Sequence, residues 1–160
     1  FARRRGIKII KLLDIIAPSL LVGQMLGRWG NFFNHEAYGE AVSQQYLQDR
    51  FIPNFIIENM YIDGAYRQPT FLYESLWCFI ALVILLLIRN KLAQSEVFAA
   101  YLILYGVERF IVEGMRTDSL YLGSLRVSQV LSLVFVVGSL IYLIVLNTKY
   151  KDKKILYRES

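Results

Sequence analysis

The sequence predicts an all-α polytopic membrane protein with about four transmembrane helices, on three observations. Of its 160 residues, 56% are hydrophobic and only 19% are charged, whereas soluble domains carry about 25% charged residues. Four stretches have the length, about 20 mostly apolar residues, that a helix needs to cross a bilayer. The basic residues gather at the ends of those stretches rather than on one face.

The first stretch, Leu12–Phe32, is apolar but contains Gln24 and Arg28. The second, Phe71–Ile88, ends in a run with no polar side chain, Ile80 to Ile88. The third, Glu96–Gly114, is interrupted by ionisable groups, and the fourth, Val127–Leu146, is almost wholly apolar. This contrast predicts two lipid-facing helices and two that carry a site. The amino end opens with Arg3, Arg4, Arg5, Lys8 and Lys11. It is not a secretory signal, because the apolar run continues through Gln24 and Arg28 with no small-residue cleavage site. The chain starts at Phe1 rather than Met, so it reads as the carboxy-terminal part of a longer protein.

Orientation follows from the distribution of cations. Of the 18 Lys and Arg, twelve fall at the amino end, in the Arg89–Lys91 link and in the tail of about residues 147–160. Arg50, Arg67, Arg116 and Arg126 occupy the other two connections, and Arg28 and Arg109 are left at membrane depth. Both ends of the chain are therefore expected in the cytoplasm, and residues 1–160 form one integral membrane domain. The outward loop of about residues 34–69 is too long to be featureless. Within it Asp63-Gly64, between Met60-Tyr61-Ile62 and Ala65-Tyr66, predicts a hairpin with a type I′ turn, and Pro69 suits the start of a helix.

The net charge of +5 would fit a nucleic-acid binder only if the cations formed a face; they flank apolar runs instead, which argues against nucleic acid. Cys78 is the only cysteine, so no metal-thiolate cluster or internal disulfide is expected, and it reads as a packing residue. No metal or cofactor is implied.

Arginine at membrane depth is costly and calls for an anionic or polar partner. Gln24, Arg28 and Asn31 are spaced to share one helix face, with Asn34 and Glu36 following. In the third helix Tyr101, Tyr105, Arg109 and Glu113 recur every four residues, with Arg116 beyond. An Arg109–Glu113 pair is either a purely structural ion pair or a phosphate-holding guanidinium oriented by a carboxylate. Tyr73, Glu74, Ser128, Gln129 and Ser132 are weaker signals that also fit interhelical hydrogen bonding. His35, the only histidine, is a candidate base or a solvated interfacial residue. Two arginines at one outward depth point to a phosphate-bearing ligand, most simply an anionic phospholipid. A segment that transports an anion or lipid, or a scaffold fixed by Arg109–Glu113, would use the same residues.

The stretch from Gly27 to Gly39, Gly-Arg-Trp-Gly-Asn-Phe-Phe-Asn-His-Glu-Ala-Tyr-Gly, closely resembles the signature of the prolipoprotein diacylglyceryl transferase family. Gln68-Pro69-Thr70-Phe71-Leu72-Tyr73-Glu74, Arg109-Phe110-Ile111-Val112-Glu113 with Arg116, and Val127-Ser128-Gln129 resemble it too, so the likeness spans nearly the whole chain. The resemblance implies a bacterial inner-membrane enzyme of about seven helices, of which this chain supplies the last four, with an outward-facing active site. It implies transfer of a diacylglyceryl group from phosphatidylglycerol to the lipobox cysteine of a preprolipoprotein, with release of glycerol 1-phosphate. It assigns phospholipid binding to Arg28, with Asn34, Gly39, Tyr73, Glu74, Arg116 and Gln129 as further lipid contacts. Catalytic roles fall to Asn31, Glu36, Arg109 and Glu113. It leaves the proton acceptor open between His35 and groups outside this chain.

Overall fold

The computed structural model describes residues 3–116, 121–122, 125–149 and 155–157. Four long helices dominate it: α1 (Ile9–Asn34), α4 (Thr70–Ile88), α5 (Glu96–Met115) and α6 (Val127–Lys149). Between α1 and α4 lie two short helices, α2 (Gln44–Gln48) and α3 (Asn54–Asn59), and strands β1 (Ala41–Val42), β2 (Tyr61–Ile62) and β3 (Ala65–Arg67). A hairpin of β4 (Tyr121–Leu122) and β5 (Leu125–Arg126) precedes α6.

Helices α1, α4 and α6 are long and apolar enough to cross a membrane. The sequence predicts a fourth crossing by α5, which has the length but not the composition. Glu108, Arg109 and Glu113 fall in any 18-residue window of it, so its place in the assembly has to come from packing rather than from hydropathy.

The helices alternate in direction. At one end α1 finishes, α4 starts and α5 finishes, and a backbone bridge joins Gly39 to Arg116. At the other end the α4–α5 link pairs with the tail, where Gln94 N–H donates to the Ile155 carbonyl and Tyr157 N–H to the Leu92 carbonyl, both at 2.9 Å. Helix α4 packs between α1 and α5, and α6 packs on α5. Polar bonds tie the seams: Trp29 Nε1 donates to Ser75 Oγ (3.2 Å), Gln24 Nε2 to the Tyr101 hydroxyl (2.9 Å) and Trp77 Nε1 to the Leu104 carbonyl (2.9 Å). Gly106 lets α6 approach α5 closely, since a Cβ there would meet Val136 Cγ2 at 2.8 Å. Small residues at such seams are a common device where lipid gives helices no hydrophobic drive to associate.

The core is divided in two. Ala17, Leu21, Cys78, Ala81, Leu85, Val97 and Tyr101 fill the helix seams, while Phe32, Phe71 and Ile56 centre a second cluster under α2 and α3. Cys78, 3% exposed, packs as a small apolar residue. Strand β3 lies between β1 and β2, with Tyr61 opposite Tyr66 and Ile62 opposite Ala65. Asp63 and Gly64 both have positive φ (53° and 77°), as a two-residue type I′ turn requires.

One feature of α5 has no local signal. Its cap residue, Ser95, sits at φ 71° and provides no capping bond of its own. The cap comes from α1: Asp14, fully buried, accepts from Ser95 N–H at 2.7 Å and from Phe98 N–H at 2.9 Å. An aspartate beside a helix amino terminus also meets the positive end of its dipole. Replacing Asp14 by alanine leaves two part-buried amides without that partner, at up to about 1–3 kcal/mol each. The thermal midpoint of the detergent-solubilised full-length protein should fall clearly, whereas Asp14→Asn should fall less.

Candidate active site

The centre of the site is a carboxylate. Glu74 lies in the second turn of α4, 1% exposed, in a helix with no other ionised side chain. Arg28 comes from α1 and pairs through Nε with Glu74 Oε2. Arg109 comes from α5; its Nη1 lies 3.7 Å from Glu74 Oε1, and its Nη2 lies 2.7 Å from Glu113 Oε2. Three helices thus place an alternating row of charge, Arg28–Glu74–Arg109–Glu113, along one seam. The two carboxylates are buried at 2% side-chain exposure, while the arginines keep 18% and 17%.

The local reasons are plain. Arg109 and Glu113 are one turn apart and therefore neighbours on α5. Arg28 follows Gln24 by one turn on α1, so the Gln24–Tyr101 bond sets the rotation that aims Arg28 at α4 and α5. The Trp29–Ser75 bond then fixes the height of α1 against the residue next to Glu74. In a low-dielectric seam an isolated charge is prohibitive and a paired one tolerable. Glu74 lets two guanidinium groups stand close together without a ligand.

The other expected residues are spread around the row. Arg116 is bridged to Gly39 through the backbone and lies within electrostatic range of Glu74. Gln129 Nε2 donates to the Phe110 carbonyl at 3.1 Å, which pins α6 beside Arg109. Tyr73, one residue from Glu74, lies within electrostatic range of Tyr46 and Arg50. Asn31 and Glu36 border a depression with Phe32, His35, Tyr38 and Thr70, and Asn34 is exposed at the last position of α1.

His35 and Gly39 have definite structural jobs. His35 takes the left-handed conformation that ends α1, with φ 53° and ψ 45°; its N–H donates to the Phe32 carbonyl, and Glu36 N–H donates to the Asn31 carbonyl. This is the backbone arrangement glycine usually fills. His35→Gly should therefore retain most activity and stability, read as turnover and thermal midpoint of the full-length protein; a collapse of turnover with folding intact would mark the imidazole as a reacting group. Gly39 is tightly enclosed. A Cβ there would lie 2.8 Å from Gln68 Cβ and 3.2 Å from both the Met115 carbonyl oxygen and Thr70 Cγ2. Gly39 thus fastens the loop to the ends of α4 and α5, and any side chain would prise them apart.

Arg126, expected only as a basic residue of an outward connection, donates from Nη1 to the Glu113 carbonyl at the end of α5. One residue has no counterpart in the sequence expectations. Glu108, 2% exposed, precedes Arg109, and neither carboxylate oxygen has a hydrogen-bond partner among the described residues. It lies within electrostatic range of Arg28, Arg109 and Glu74. A carboxylate abutting a membrane arginine was the available signal, but the four-residue stripe drew attention to the neighbouring face.

The family model described as prolipoprotein diacylglyceryl transferase matches residues 1–145. The chain belongs to the prolipoprotein diacylglyceryl transferase family. Proteins called phosphatidylglycerol–prolipoprotein diacylglyceryl transferase from Bacillus cereus (strain G9842), Bacillus mycoides (strain KBAB4) and Bacillus anthracis (strain A0248) are each 56% identical to it over 146 residues. Those alignments cover 91% of this chain and 54% of each relative. The chain therefore spans about half the length of the curated relatives it matches. In this family member the stretch from Gly27 to Gly39 runs from the charged row, through the end of α1, to the loop's fastening point.

Proposed function

We propose that the full-length protein transfers the diacylglyceryl group of phosphatidylglycerol to the lipobox cysteine of a preprolipoprotein. The names of the relatives give the reaction class. The observation that carries the reading to this chain's own residues is the convergence of Arg28 and Arg109 on Glu74, with both guanidinium groups still partly open. A guanidinium has five N–H donors. Arg28 spends Nε on Glu74, and Arg109 spends Nη2 on Glu113; the remaining edges suit the oxygens of a phosphodiester.

In this reading the nucleophile is the substrate's own thiol, whose ordinary pKa is about 8.5 and whose thiolate is the reactive form. The thiol releases its proton, and the thiolate sulfur attacks C3 of the glycerol that carries the acyl chains. The C–O bond breaks with its electron pair passing to phosphate, and glycerol 1-phosphate leaves. Arg28 and Arg109 would face the charge that develops on the departing phosphate, held in place beforehand by Glu74 and Glu113. Asn31, Asn34, Glu36, Gly39, Tyr73, Arg116 and Gln129 then line or brace the lipid's approach.

Four crossings, one membrane domain over residues 1–160, cytoplasmic chain ends and an outward site complete the proposal. Helix α5 would cross shielded by α1, α4 and α6, with its charges turned to the seam. The basic residues of the α4–α5 link and the tail support this orientation. The test is to incubate full-length protein with phosphatidylglycerol and a lipobox peptide and to weigh the peptide. A mass gain of one diacylglyceryl group is expected. An unmodified peptide, with lipid or anion flux into proteoliposomes, would favour the transport reading instead.

A further inference from the structure

The segment between α1 and α4 buries most of its aliphatic residues, yet holds two phenyl rings outside. Leu47, Ile52, Ile56 and Ile57 are at most 6% exposed, whereas Phe51 is 94% and Phe55 54% exposed. Phe51 is also held at φ 57°, a left-handed conformation that residues with a side chain rarely adopt. Glycine or asparagine would satisfy that corner more cheaply. Beside it, the Arg50 guanidinium lies 3.4 Å from the centre of the Tyr46 ring, and its Nη1 donates to the Tyr46 carbonyl at 3.2 Å. The cation is thus fixed next to the exposed ring.

This corner is not remote from the long helices. Tyr73, in the first turn of α4, lies within electrostatic range of both Tyr46 and Arg50. From there the open surface of α4 continues through Leu76, Phe79 and Ile80, all about half exposed at 52–53%. We infer that Arg50, Phe51 and Phe55 form an interfacial anchor that takes a phospholipid surface, with the rings at the headgroup–acyl boundary and Arg50 at the phosphates. Aromatic rings beside a cation, continuous with an apolar helix face, have the composition of membrane-interface belts. The anchor would keep the Gly39 fastening, and through it the end of α5, level with the bilayer surface. It rests on the reading that α4 spans the bilayer.

Nitroxide labels test it in the full-length protein, with Cys78→Ala and any other cysteine replaced. Labels are placed by Phe51→Cys, Phe55→Cys, Asp63→Cys and Ile80→Cys, in vesicles of phosphatidylglycerol and phosphatidylcholine. Collision rates are read with oxygen, which concentrates in the bilayer, and with a water-soluble nickel chelate. Oxygen should dominate several-fold at positions 51, 55 and 80, and nickel at position 63. Nickel dominance at 51 and 55, or shielding there from both reagents by covering protein, would overturn the anchor while oxygen dominance at 80 upholds the span. Nickel dominance at 80 would remove the spanning reading of α4, and the anchor with it.

Discussion

Arg28→Ala in the full-length protein is expected to lower diacylglyceryl transfer by about 10²–10³, with Arg109→Ala matching it. Loss of one preorganised donor facing a developing charge typically costs about 3–4 kcal/mol of transition-state stabilisation. Both arginines keep one sixth of the side chain open, so each has capacity beyond its carboxylate. Arg28→Lys should be nearly as poor as alanine, because an ammonium that satisfies Glu74 has no second edge to offer phosphate. Turnover of a lipobox peptide at saturating phosphatidylglycerol checks the series. Near-normal turnover of Arg28→Ala would exclude its proposed role.

Glu74→Ala should have the next largest effect, and on stability as well as turnover. It leaves Arg28 without Glu74 as its ion-pair partner and Arg109 paired with Glu113, with two like charges sharing one seam. Breaking a buried pair from one side typically costs about 3–5 kcal/mol. The thermal midpoint should drop sharply, and added phosphatidylglycerol should restore part of it by supplying the missing negative charge. A paired change, Arg28→Met with Glu74→Leu, separates packing from chemistry. Apolar residues of similar size can replace a buried ion pair at little cost, so stability should largely return while transfer does not. Recovery of transfer in that pair would reduce the row of charge to a packing device.

Much of the architecture was legible because it follows from short-range rules. Apolar run lengths located the four long helices to within a few residues. Asp63-Gly64 marked its turn because few residues other than glycine and its polar stand-ins take two positive φ values in succession. Arg109 and Glu113 were paired by helical spacing alone. What was not legible was which faces meet. Asp14 and Ser95 lie 81 positions apart, and nothing near either shows that one helix caps the other. Glu74 looked minor because its spacing to Tyr73 and Ser75 reveals nothing; its weight comes from Arg28 and Arg109 arriving from separate helices. His35 drew notice as the lone histidine, although its backbone ends α1 in a conformation that owes nothing to the imidazole. Asn31 and Glu36 belong to the same stretch as Arg28, yet they line one depression together because α1 ends at Asn34 and the chain turns back beside it.

The most direct measurement is a double-mutant cycle on phosphatidylglycerol binding by the full-length protein, comparing Arg28→Ala, Arg109→Ala and the double variant. If both guanidinium groups grip one phosphate, each single change should weaken binding strongly and the double change little further, since coupled neighbours are not additive. Losses that simply add, or binding indifferent to both changes, would show that the arginines serve separate ends and that no shared lipid-phosphate site exists.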